Sequence, residues 1–162
     1  MADGADLEQL QAWIGDMLSS VEPGARRSLA LRIAKDIRRA NAERIARQVQ
    51  PDGSPFVPRK PQKGSRGRVG SIRKRRQSRR MFGKLRQFRF LQAEASADEA
   101  IIGFSNPAVA RVGRVHQLGL RDRVTRERNA PEVDYPERVL IGFAAIDEDR
   151  TLDFILQAID PA

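Results

Sequence analysis

His116 is the one side chain in this sequence whose ordinary pKa lies near neutral pH, and cysteine is absent. A zinc site of nitrogen and sulfur ligands within one chain is thereby excluded. A Ser-His-Asp arrangement would have to use His116, yet no serine lies in the G-x-S-x-G setting that presents a nucleophile. The run Gly64-Ser65-Arg66-Gly67-Arg68-Val69-Gly70-Ser71 has the glycines of a phosphate loop but lacks its G-x-x-x-x-G-K-[ST] spacing, and no strand is expected before it. Carboxylates gather on the N- and C-terminal helices expected below, where solvation explains them. Asp52, beside Gly53, reads as a turn residue. No nucleophile, base and oxyanion donor assemble, so the expectation is a protein with no enzyme activity, no cofactor and no metal. His116 is expected to pack, or to bond at a helix end.

The chemistry the sequence does offer is ion pairing. Residues 53–93 hold fourteen Lys and Arg and no Asp or Glu. They include Arg59, Lys60, Lys63, Arg66, Arg68, Arg73, Lys74, Arg75, Arg76, Arg79 and Arg80. The whole chain is +9, so everything outside this stretch sums to −5. Such a segment needs a negative partner: nucleic acid, an acidic protein surface or anionic lipid. The plain alternative is a solvated basic loop that keeps the protein soluble.

That stretch must be carried by something. Pro55, Pro58 and Pro61 deny a helix its donors, and Gly64, Gly67 and Gly70 deny it stiffness. Apolar residues are too sparse there to offset the entropy of ordering it, so a long loop or arm is expected over 53–80. The 162 residues otherwise suit one domain, 1–162, with the arm inserted in it. About 40% of residues are apolar and only 6% aromatic, which gives an aliphatic core. Residues 1–10 carry acids and no basic n-region, unlike a secretory signal. No apolar run approaches the roughly 18 residues that cross a bilayer, so no membrane partner is expected.

The spacing of Leu7, Leu10, Ile14 and Met17 predicts a short helix over 6–21, broken at Pro23-Gly24. A longer helix is expected over 23–50, ended by Pro51. Its apolar stripe is Leu29, Ile33, Ile37, Ile45 and Val49, and its basic face holds Arg27, Arg32, Lys35, Arg38, Arg39, Arg44 and Arg47. Helix can resume over 71–84 on Ile72, Met81 and Leu85. Phe88–Leu91 and Ile101–Phe104 read as two strands about a polar turn, with Phe88 and Phe90 facing the core. Asn106-Pro107 opens a helix as cap and first residue, and Gly119 closes it. Residues 121–131 read as an exposed loop, and Val139–Phe143 as a strand buried on both faces. A final helix spans 147–159, with Leu152, Ile155, Leu156 and Ile159 inward and Asp147, Glu148 and Asp149 in its first turn. The fold class is α+β: a small antiparallel sheet covered by helices, with a long basic loop or arm.

Five stretches in order carry a resemblance: Pro51–Arg59, Met81–Leu85, Ile102–Phe104, Arg114–Asp122 and Tyr135–Phe143. Together they resemble the virion morphogenesis family of tailed bacteriophages, from about Asp6 to Ile159. The family carries an aromatic, often Trp, where Phe56 stands here. The resemblance implies a structural protein of the phage tail or neck. It would complete the tail and help join head to tail as a homo-oligomeric ring, hexameric or larger, around the DNA channel. Its partners would be the neighbouring tail terminator, tail tube or connector proteins, and the genomic DNA passing through. The protein would belong to the virion, assembled in the host cytoplasm. Contacts to partners are expected from Phe56, Arg59, Lys60, Arg66, Arg68, Arg73, Lys74, Arg75, Arg76, Arg79 and Arg80, through guanidinium pairing with acids of a neighbour. The alternative is a stand-alone basic nucleic-acid-binding protein, whose affinity would fall steeply with salt. No RNP1 motif or zinc finger supports that alternative.

Overall fold

The computed structural model describes residues 22–59, 80–125 and 127–159, together with Ala12 and Gly15, both helical. The expected helix over 6–21 and most of the arm lie outside the described residues. The elements run α1 (Pro23–Arg47), β1 (Leu91–Ala95), β2 (Ala100–Phe104), α2 (Pro107–Gln117), β3 (Arg121–Arg123), β4 (Glu132–Asp134) and α3 (Ala145–Ile159). β1 pairs with β2 and β3 with β4, giving two small antiparallel sheets and an α+β fold.

The chain forms two compact units. One takes the described residues up to Asp36, then Ala93–Ile101 and the described residues from Ala145 on; the other takes Ile37–Gln92 and Ile102–Ala144.

In the first unit, α3 packs its inner side around a charged centre. Asp147 is only 1% exposed. Arg150 reaches it at 2.7 Å and reaches the buried Asp36 at 3.3 Å. Arg32 lies over the ring of Phe154, 4.3 Å from its centroid, and donates to Gln157. The inward residues are thus Asp147, Thr151, Phe154, Ile155 and Ala158, which shifts the expected apolar face around the helix. Leu152 and Leu156 are each 55% exposed. Asp147 is accordingly a buried ion-pair partner and not a solvated acid.

In the second unit, Ile45, Phe56, Met81, Leu85 and Leu140 form the core, with Phe82, Phe104, Val109 and Ile141 against it. Burying each large aliphatic side chain is worth about 2 kcal/mol. α1 ends at Arg47, short of Pro51, because Gln48 turns into the left-handed region with φ 64°. Val49 N–H then donates to Arg44 O and Gln48 N–H to Ile45 O. That double bond pattern closes a helix C-terminus around an αL residue. α2 opens and closes as expected. The Asn106 side chain accepts from Val109 N–H at 2.9 Å, Pro107 is its first residue, and Gly119 takes the αL position at φ 61°.

Further expectations are corrected in this unit. The first strand starts at Leu91, not Phe88, and residues 83–90 turn. Phe88 is 68% exposed, with the Arg38 guanidinium 5.2 Å from its ring centroid. Residues 80–84 are not helical. The expected loop over 121–131 is the two-stranded β3–β4 hairpin, with Arg121 opposite Asp134 and Arg123 opposite Glu132, a pairing that cross-strand charges favour. Val139–Phe143 is not a strand. Its backbone is bonded by side chains, as described next.

Candidate functional site

The described residues on either side of the basic segment, 48–58 and 80–85, lie in the second unit, and a set of polar side chains holds them there. On the way out, Asp52 Oδ1 accepts from Ser54 N–H at 2.9 Å and from the Ser54 hydroxyl at 2.6 Å. Those bonds hold the Asp52 carboxyl below its usual pKa, the hydroxyl contributing most. Gly53, at φ 85°, completes the turn where a side chain would be strained. Phe56 N–H then donates to Gln48 O at 2.8 Å, and the Phe56 ring is buried, edge-on to Phe82 with centroids 5.7 Å apart.

Arg138 takes over from there. It is 3% exposed and donates through Nε to Val57 O at 2.7 Å and through Nη2 to Pro58 O at 3.4 Å. Its Nη1 meets His116 Nδ1 at 3.1 Å. A guanidinium only donates, so His116 Nδ1 is the acceptor and the ring is neutral. The His116 ring stands edge-on between Phe82 and Tyr135, at centroid distances of 4.7 and 4.9 Å. Burial, then the charges of Arg138 and Arg59, push its pKa down to about 4. Burial first, and then Arg59, hold Arg138 below the ordinary guanidinium value.

On the way back, Gln48 grips the chain in both directions. Its Oε1 accepts from Met81 N–H at 2.6 Å and its Nε2 donates to Met81 O at 2.9 Å. Nε2 also donates to Ile45 O, at the end of α1. Met81 and Leu85 are buried, while Phe82 adopts φ 61°, an unusual backbone for a side chain of its size.

Residues 139–142 are fixed by the same chemistry. Val139 N–H donates to Gln50 Oε1 at 2.9 Å. Leu140 and Ile141 N–H both donate to Gln117 Oε1, at 2.7 and 3.1 Å, and Gln117 Nε2 donates back to Ile141 O. Gly142 N–H donates to the buried Asn41, and Gly142 O accepts from Arg44 Nη2 at 3.0 Å. Arg44, expected on the basic face of the helix, is buried. These amides stand in for a neighbouring strand.

Of the expected contact residues, Phe56 is a core residue of its own chain, and Arg59 and Arg80 are described and exposed. Lys60, Arg66, Arg68, Arg73, Lys74, Arg75, Arg76 and Arg79 lie outside the described residues. The gripping residues Gln48, Asn41, Gln117 and Arg138 were not singled out by sequence reasoning. Their signal was a set of polar residues inside otherwise apolar patterns. Among the described residues, no three His, Asp or Glu side chains converge as metal ligands, and none of the described helices is long and apolar enough to cross a membrane. The arrangement anchors a chain segment.

A profile of the phage virion morphogenesis family matches residues 5–160. The chain is 33% identical over 144 residues to tail completion protein S of Escherichia phage P2, covering 89% of this chain and 91% of that protein. No solved structure matches it. With the match spanning both units and every element described above, the chain belongs to the phage virion morphogenesis family.

Proposed function

We propose that this protein is a structural component of a phage tail, one that finishes the tail and helps join it to the head. Copies would form a ring around the DNA channel, with segment 53–80 reaching neighbouring chains. The observation that carries this reading is the likeness to a tail completion protein over nearly the full length of both chains. The geometry supports it from a second side. The arm's ends are pinned within one cluster by Gln48 and Arg138, while twenty residues, 60–79, lie between the described ends. At about 3.5 Å per residue, an excursion out and back can reach roughly 35 Å. Its nine Lys and Arg, unbalanced by any acid, suit it to acidic surfaces of other tail proteins.

The test is to interrupt the gene in a phage that carries it. Heads and unfinished tails should accumulate unjoined, and added purified protein should restore infectious particles. Normal infectious particles without the protein would contradict the reading.

A further inference from the structure

The outer face of α3 is apolar and acidic at once. Ile146, Leu152 and Leu156 are 59%, 55% and 55% exposed. Glu148, Asp149 and Asp153 are exposed beside them. Leu152 and Leu156 are four residues apart, as are Asp149 and Asp153, so each pair shares a side of the helix. Asp149 and Asp153 fall between Leu156 and Ile146 around the helix axis. The one basic residue of α3, Arg150, is turned inward to Asp36 and Asp147. The helix cannot roll to bury these leucines without breaking that ion cluster and the Arg32–Phe154 contact. An exposed apolar strip rimmed by like charges marks an interaction site.

Charge selects the occupant. Residues 1–22 of this chain hold five acids and no Lys or Arg, so they would be repelled by the acidic rim. Segment 59–80 holds eleven Lys and Arg and no acid, with Val69 and Ile72 among them to meet the leucines. We infer that the outer face of α3 receives the basic segment 59–80 of a second copy of this chain. The contact is head-to-tail, the kind that closes into a ring when the rotation permits. The inference rests on the ring reading above and names the receiving surface.

The chain has no cysteine, so single introduced thiols report contacts cleanly. Full-length copies carrying Ala145→Cys, on the outer face, are mixed with differently tagged copies carrying Ser71→Cys, oxidised, and resolved without reductant. The mixed disulfide should form several-fold more than with Ala108→Cys, an exposed position on α2. Adding Asp149→Lys and Asp153→Lys to the Ala145→Cys copy should remove that excess. A yield equal to the control, or one unchanged by charge reversal, overturns the inference. So does a link found only when both thiols sit in one chain, or a dominant within-chain link from Ala145→Cys to Ser19→Cys. Native mass of the same samples separates the two claims: a ring without the 145–71 link refutes this contact and leaves the ring standing.

Discussion

His116 is the clearest case of a residue whose chemistry is set by what surrounds it. Its ring is enclosed by Phe82 and Tyr135 and faces Arg138 and, at longer range, Arg59, so a proton on it is disfavoured in the folded chain. The folded value is about 4 against 6.5 for a free imidazole. Between those values the unfolded chain binds the proton more readily, so stability falls as pH drops from about 6.5 to about 4. Asp52 and Asp122 are held below 3.8 by their hydrogen bonds, so their contributions are lost only at lower pH. Urea midpoints at pH 7, 6, 5 and 4.5 should therefore decline for the native protein, and His116→Gln, which keeps an acceptor for Arg138, should flatten that decline. An identical slope in both proteins would contradict the assignment. The place of His116 at a helix end was readable from the sequence, because Gly119 marks where α2 stops. Its neutrality was not, since Arg138 lies 22 residues away and only folding brings them together. Phe56 is the reverse case. The family resemblance placed it among the expected partner contacts, and in the fold its ring belongs to the core of its own chain.

At the scale of elements, the helices with local signals were legible and the segments without them were not. Asn106, Pro107 and Gly119 carry their own capping chemistry, and α2 follows them. α1 was expected to continue to Pro51, but Gln48 ends it by using its side chain to satisfy the αL turn and Met81 together. Val139–Phe143 misled for a physical reason. A continuous apolar run is the mark of a buried strand, yet here the partners are side-chain amides, which leave no period-two pattern behind. Phe88 misled similarly: alternation placed it inward, whereas the turn before β1 puts it outside under Arg38. The amide account makes a sharp demand of Gln117. Gln117→Leu keeps the volume but strands the N–H groups of Leu140 and Ile141 and the carbonyl of Ile141. The loss should be about 2 kcal/mol, the scale for leaving part-buried backbone groups unpaired. It would be read as a shift in the urea midpoint with unchanged slope. A change under about 0.5 kcal/mol would mean that water replaces the amide at no cost.

For the molecule as a whole, charge is distributed so that most of the chain is mildly acidic while one anchored segment is strongly basic. That asymmetry was legible from composition alone, and the α+β class from the order of the expected helices and strands. The two compact units were not, because α1 and the β1–β2 hairpin each contribute residues to both, and no composition change marks a boundary. The family likeness favours assembly with other tail proteins over action alone. The central claim is that copies of this protein encircle the axis of a tail. Reconstructed density from intact phage particles containing it tests that claim most directly. The account predicts a closed ring of copies at the head-proximal end of the tail, each accommodating this fold, with basic segments crossing to neighbours. Particles lacking the protein, or holding single copies away from the tail axis, would contradict it.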